Sequence, residues 1–126
     1  MQDFRKLEAW QLSRPLTVAV YRATGRWPME ERFGLTLQVR RSVCSIGANI
    51  AEAFGRATRA DAARCLQTSI SEGNETLHHL ITALDLGYLT EAEFEALMGK
   101  LELVRHKVVN LFFSIRPARR PRRNQQ

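Results

Sequence analysis

The sequence predicts an all-α protein: an up-and-down antiparallel four-helix bundle at residues 1–115, followed by a disordered basic tail at residues 116–126. Composition supports this, because the 126 residues include only four prolines and seven glycines, which favours helices over a loop-rich β fold. Periodicity supports it too, since four segments carry apolar residues at helical spacing. Short connections between long helices place neighbouring helices antiparallel.

The first predicted helix begins near Asp3 and stops at Gly25. Pro15 lies inside it and is expected to kink the helix, unless the helix starts later, because proline lacks a backbone donor. The second predicted helix runs from about Glu31 to Phe54 and is closed by a glycine.

The third and fourth helices carry local start and stop signals. The segment TRAD at 58–61 reads as a capping box, and Gly87 ends the helix that it opens. The segment TEAE at 90–93 is a second capping box, and Pro117 prevents the fourth helix from continuing. Both helices have apolar residues at helical spacing and are therefore expected to contribute to one core.

The second helix is expected to have three distinct faces at 100° per residue. Its apolar stripe, predicted to face the core, consists of Val39, Val43, Ile46, Ile50 and Phe54. Its polar stripe consists of Gln38, Ser42, Ser45, Asn49, Glu52 and Arg56. Its small-residue arc consists of Cys44, Ala48 and Ala51. The arc, with Asn49 and Glu52 beside it, is predicted to contact a second helix closely, either within the bundle or in a neighbouring subunit.

The net charge of +6 is unevenly distributed along the chain. Residues 1–64 hold 11 basic and 6 acidic side chains, residues 65–115 hold 3 and 7, and residues 116–126 hold 5 and none. The last segment has two prolines and a single alanine as its apolar residue, so it is expected to be disordered. Arginine exceeds lysine sixteen to three, which suits phosphate recognition but also follows from a GC-rich genome.

Ten arginines are therefore candidates for contact with nucleic acid. They are Arg40, Arg41, Arg56, Arg59 and Arg64 in the bundle, and Arg116, Arg119, Arg120, Arg122 and Arg123 in the tail. Few aromatic residues accompany them, which favours contact with the phosphate backbone over recognition of bases. Two alternatives remain open: these arginines form a solvated surface and a solubilising tail, or the protein is a docking scaffold for another protein.

Other function classes find little support in the sequence. Glu75 and His78 form one Glu-x-x-His unit of the kind found in di-iron bundles, but the fourth helix offers only Glu102 and His106 at a different spacing. No phosphate loop or nucleophile pair can be assembled, so we expect no enzyme activity, cofactor or metal. With no apolar run long enough to span a bilayer and no signal peptide, the protein is expected to be cytoplasmic.

The two cysteines, Cys44 and Cys65, lie in helical patterns among apolar and small residues. Neither has a cysteine or histidine at a metal-ligand spacing. They are predicted to be buried free thiols. In a hairpin of the second and third helices, their offset along the axis, added to the distance between the two helices, would also exceed the reach of a disulfide.

The stretch EERFGLTLQVRRSVCSIGANIAEAFGR at 30–56, with LDLGYLT and then EAEFEAL, resembles a known family. It is the four-helix bundle family first found encoded in intervening sequences of bacterial 23S ribosomal RNA genes. The similarity extends over about residues 4–115, and the chain departs from the family pattern at Gly47 and Ala53, where the family has proline and glycine.

The resemblance implies an all-α bundle assembled as a homopentamer, in a family whose members mostly have no assigned activity. A related branch, the accessory protein of diversity-generating retroelements, is a basic pentamer that binds nucleic acid and a reverse transcriptase. The expected partners are therefore other copies of the chain, RNA or DNA, and a reverse transcriptase or another protein. The shared motif includes Arg40, Arg41, Asn49, Glu52 and Arg56, and the last two are also spaced for an ion pair on one helix.

Overall fold

The structure, a computed structural model, describes residues 3–119. It consists of four α-helices, which are α1 (Glu8–Thr24), α2 (Leu35–Ala53), α3 (Arg59–Asp85) and α4 (Glu91–Ile115). Short 3-10 turns precede α1 and α2, at Phe4–Lys6 and Met29–Glu31. The predicted all-α class and the four-helix bundle are confirmed. Among the described residues, no helix combines the length and the apolar character needed to cross a bilayer.

Each helix packs against two others, so that the four helices form a closed ring in the order α1, α2, α3, α4. The α1–α4 contact closes the ring. Lys107 near the end of α4 pairs with Glu8 at the start of α1, and Glu93 at the start of α4 pairs with Arg26 just beyond the end of α1. These cross-pairs show that α1 and α4 run antiparallel, as predicted.

The core contains aliphatic side chains from all four helices. Its fully buried large apolar residues are Leu16, Val20, Val39, Val43, Ile46, Ile50, Leu66, Leu80, Leu101, Val104 and Val108. Four of the five predicted core positions of α2 are therefore fully buried, whereas Phe54, at the end of the stripe, is only partly buried.

The start of α1 differs from the prediction. The Asp3 carboxylate accepts a hydrogen bond from the Arg5 amide at 3.0 Å, but this caps only the 3-10 turn. Leu7 then has extended backbone, with φ −75° and ψ 128°, and α1 begins at Glu8. The helix does start later than Asp3, yet Pro15 still lies well inside it.

The start of α2 also differs, because the chain makes a 3-10 turn at Met29–Glu31 and enters the helix only at Leu35. Gly34, the residue before the helix, has φ −107° and ψ −116°, which is not helical. Glu31 therefore lies in the 3-10 turn rather than in the first turn of the helix.

The other helix boundaries follow the local signals. Thr58 accepts a hydrogen bond from the Asp61 amide at 3.1 Å and caps α3, but the Asp61 side chain makes no return bond to the Thr58 amide, so only half of the predicted capping box forms. The capping box of α4 is complete, since Thr90 and Glu93 each accept from the other's backbone amide. Gly87 has φ 78° just after α3, a conformation that favours glycine and ends the helix as predicted.

Candidate nucleic-acid interface

Part of the polar stripe of α2 is buried against α3. Thr76 donates a hydrogen bond to the Ser42 hydroxyl at 2.9 Å, and Ser69 donates to the Ile46 carbonyl at 2.8 Å. Ser42, Ser69 and Thr76 are all buried. This segment of the stripe therefore links two helices of the same chain and is not available to a ligand. The sequence feature that indicates this contact between α2 and α3 is a pair of hydroxyl residues, Ser69 and Thr76, at core positions of α3.

The small-residue arc of α2 lies on the surface beside α1. Cys44 and Ala48 are exposed and Ala51 is half-buried. Val18 and Tyr21 of α1 are exposed next to it, and a groove of about 430 Å³ runs between the two helices. Within the described chain no helix covers Ala48, so the second contact predicted for this arc is not made inside the bundle.

The cysteines are unbridged, as predicted, but only Cys65 is buried. The prediction that Cys44 is buried is wrong, because α1 reaches only one edge of the arc. The Cys44 sulfur lies 3.4 Å from the Tyr21 hydroxyl. This contact, followed by partial burial, raises the pKa of Tyr21 above its ordinary value.

The close approach of α1 and α2 occurs at Gly47 rather than at the arc. A Cβ at Gly47 would lie 2.7 Å from the Ser13 hydroxyl oxygen, which is too close for an unrelaxed contact. Ser13 is itself buried and donates to the Trp10 carbonyl at 2.6 Å. Glycine at this position therefore allows the two helices to pack directly.

Two of the predicted arginines lie at the end of the bundle where α4 finishes, called here the tail end. Arg59 donates to the carbonyls of Ile115 and Ser114 at 3.0 and 3.2 Å, so it caps the last turn of α4. Arg56 forms an ion pair with Glu52, the contact that their spacing predicted. The pKa of Arg56 is raised, first by Cys65 and then by Glu52. Arg56 and Arg59 line one shallow groove of about 330 Å³.

The remaining predicted arginines of this region are exposed. Arg116 stacks on the Phe113 ring with its guanidinium carbon 4.5 Å from the ring centre, and Arg119 is exposed beyond it. Arg64 is paired with Asp61 at 3.1 Å on the surface of α3. The other tail candidates, Arg120, Arg122 and Arg123, lie outside the described residues.

Arg40 and Arg41 lie away from the tail end. Arg40 donates to the Thr24 hydroxyl at 2.8 Å and stacks over the Tyr21 ring at 4.6 Å, which fastens α2 to α1. Arg41 is exposed, and among residues 3–119 it makes no ion pair. The structure therefore divides the predicted set between two regions of the molecule.

Three basic residues that the sequence reasoning did not select border a further groove. Arg22, Arg26 and Lys100 line a depression of about 270 Å³ between α1 and α4, whose floor is made of alanine and leucine. Glu93 neutralises Arg26 there. The sequence feature that could have identified them is the spacing of Arg22, in the last turn of α1, and Arg26, just beyond its end.

The residues considered as metal ligands, which are Glu75, His78, Glu102 and His106, do not form one metal-binding group. In the part of the chain that the structure describes, no group of three or more His, Cys, Asp or Glu side chains could hold a metal ion. Glu75 approaches His79 at 3.4 Å rather than His78. Partial burial and then the neighbouring Glu75 raise the pKa of Glu72, so these two carboxyl groups interact with each other.

These features define a small four-helix bundle protein with an open groove on one side and arginines gathered at one end. The sequence matches the model of the 23S rRNA-intervening sequence protein over residues 5–110, and the chain belongs to this family. A crystal structure of a protein of unknown function from the S23 ribosomal protein family of Bacteroides thetaiotaomicron is similar, with a TM-score of 0.77 and 25% identity. The match covers 83% of this chain and 95% of that chain. No curated protein matches the sequence significantly.

Proposed function

We propose that this protein is a non-enzymatic homo-oligomer, of five subunits, that binds the phosphate backbone of RNA or DNA through its tail end and its arginine-rich tail. One observation carries the proposal. Arg59 is bonded to the last carbonyls of α4, so Arg56 and Arg59 lie where residues 116–126 begin, a segment with five arginines and no acidic residue.

The charge of this region suits a polyanion better than a small ligand. Arg116 and Arg119 are exposed, and neither forms an ion pair with a carboxylate among the described residues. In a ring of five subunits each of these charges is repeated five times. Because affinity for nucleic acid grows with each phosphate neutralised, even a modest charge per chain then supports binding without base recognition.

The uncovered side of α2 supports the oligomer. Small and apolar side chains at Cys44, Ala48, Val18 and Tyr21 are exposed together, where an isolated bundle would carry long charged residues. The resemblance to the family implies a pentamer. Sedimentation equilibrium at micromolar concentration tests this part of the proposal, and a monomer would contradict it.

Deleting residues 116–126 tests the nucleic-acid part. Binding to duplex DNA is measured at several salt concentrations for the full-length and truncated proteins. The slope of log affinity against log salt changes by about 0.9 for each phosphate contact, so one engaged tail accounts for up to about 4 to 5 units. We expect weaker binding of all sequences and a shallower slope.

Helicity and oligomeric state serve as controls, since the tail has no apolar anchor and its loss should leave both unchanged. An unchanged slope would show that the tail is not involved. Failure of both proteins to bind at low salt would reject a role in nucleic-acid binding.

A second candidate function, docking of a reverse transcriptase or another protein, is favoured by one feature. Met29 and Phe33, in the connection between α1 and α2, are 76% and 77% exposed. Such side chains are typical anchors at protein interfaces. Partner binding that survives deletion of the tail but fails in Phe33→Ala would favour this candidate.

A further inference from the structure

At the end of the bundle opposite the tail end, α1 finishes and α2 begins around a small notch. Its volume is about 160 Å³, several times the roughly 30 Å³ that one water occupies in the liquid. The lining residues whose side chains carry hydrogen-bond donors are Thr24, Trp27, Arg32, Thr36 and Arg40, although the Thr24 hydroxyl already donates to the Val20 carbonyl at 2.8 Å. None of its lining residues is acidic.

Trp27 lines the notch with a largely buried side chain. The side chain is 7% exposed and packs against the Tyr88 ring, with 5.8 Å between ring centres. Its indole Nε1 is the only buried side-chain nitrogen or oxygen of residues 3–119 that has no hydrogen-bond partner. Leaving a buried donor unpaired costs stability, so an unpaired buried N–H suggests an acceptor that the described residues do not supply.

The two guanidinium groups at the notch are not neutralised by carboxylates in the described chain. Arg40 is held in place by its bonds to the Thr24 hydroxyl and the Tyr21 carbonyl. These use two of the five N–H donors of a guanidinium and leave three. Arg32 rests on the exposed Phe33 ring at 4.6 Å, which positions it without consuming its donors.

The backbone adds positive potential to the same place. Thr36 lies in the first turn of α2 and is buried at the wall of the notch. The preceding Gly34 provides no side-chain cap, so the amides of this first turn lack one. The amino end of a 19-residue helix carries a partial positive charge that favours anions. The Glu31 carboxylate approaches Gly34 and is not among the lining residues.

We propose that this notch binds a phosphate group. A tetrahedral oxyanion fits the volume, presents mainly acceptor oxygens, and complements two guanidinium groups, the Thr36 hydroxyl and a helix amino end. The phosphate belongs either to a free phosphate compound or to a nucleic acid. The proposal does not depend on the tail, which lies at the other end of the bundle.

The test titrates inorganic phosphate into the full-length protein at constant ionic strength and follows the two tryptophan indole N–H signals by NMR. We expect the Trp27 signal to shift and to saturate in the millimolar range. Trp10, which packs against Phe4 near the tail end, is the internal control and should not shift. Replacing phosphate by chloride should leave both signals in place.

Arg32→Ala removes one ligand from an exposed position and should weaken phosphate binding about tenfold or more, because charge-assisted hydrogen bonds are lost. Arg41→Ala removes the same charge from an exposed site outside the notch and should have little effect. A Trp27 signal that does not shift, shifts together with Trp10 without saturating, or responds equally in both variants would overturn the proposal.

The source of the phosphate is resolved by competition with short single-stranded oligonucleotides. Displacement of inorganic phosphate by any oligonucleotide identifies a backbone phosphate, and displacement only by a 5′-phosphorylated one identifies a terminal phosphate. Retention of phosphate against both identifies a free phosphate compound. All three results require saturable phosphate binding at the notch, so each of them supports the proposed site. The tail-deletion experiment can fail while this one succeeds, so the two proposals are separable.

Discussion

Two sides of α2 that carry small residues differ in whether another helix covers them. On the side facing α3, Ser42 and Ile46 accept buried hydrogen bonds from Thr76 and Ser69, and the interface is closed. On the outer side, Ala48 is exposed and no described residue covers it. The difference shows that a small residue in a helix marks a close contact only when a second helix is available to make it. Among residues 3–119, α2 has that partner on one side and lacks it on the other.

Ala48→Glu should have the largest effect, and it acts on assembly. If a neighbouring subunit covers the arc, the buried unpaired charge costs roughly 3 kcal/mol or more, which raises the dissociation constant over about 100-fold. Sedimentation equilibrium measures this. Gln67→Glu adds the same charge at an exposed position of α3 and is the control. A fully assembled Ala48→Glu protein would mean that the arc faces solvent.

Gly47→Val should have the next largest effect, and it acts on folding. Its side chain would meet the buried Ser13 hydroxyl at the α1–α2 contact, at a cost of about 1–3 kcal/mol in free energy of unfolding. Denaturant unfolding measures the change. Gly99→Ala is the control, because a Cβ at Gly99 meets nothing within 4 Å and should stabilise α4 by about 0.5–1 kcal/mol. Equal effects of both changes would contradict the close approach.

Thr76→Val should have the smallest effect. It keeps the shape of the side chain but removes the hydrogen bond to Ser42, at a cost of about 0.5–1.5 kcal/mol. Thr68→Val is the matched control, because the Thr68 hydroxyl is exposed and bonds only within its own helix. Thermal unfolding that shifts equally for both variants would show that the buried bond between α2 and α3 adds nothing.

The sequence predicted well those features that depend on neighbours along the chain. The apolar stripe of α2 follows helical periodicity, and the caps at Thr58 and Thr90 act over three residues. The starts of α1 and α2 were misplaced because a 3-10 turn precedes each of them. A helical wheel cannot tell such a turn from the first turn of an α-helix.

The candidate site was less predictable, because its contacts join distant segments. Arg59 meets the carbonyl of Ile115, 56 residues away, and this capping role follows from the ring of helices alone. Arg40 was selected for its charge, yet its position is determined by Thr24 on another helix. Nothing in the sequence marks Trp27 as an unpaired donor, since only its packing in the fold leaves the indole N–H without a partner.

The Glu93 carboxylate also gives the bundle a point of acid sensitivity. It accepts from the Thr90 amide and binds Arg26, and these contacts, the Thr90 bonds first, lower the pKa of Glu93. A carboxylate with a lowered folded-state pKa contributes stability above its unfolded pKa of about 4.3, and that contribution is lost as pH falls through the folded value. One proton then weakens the carboxylate half of the α4 capping box together with the ion pair to Arg26. On acidification, amide exchange should accelerate at the start of α4 before it does at the cap of α3, where Thr58 accepts through a hydroxyl that does not titrate.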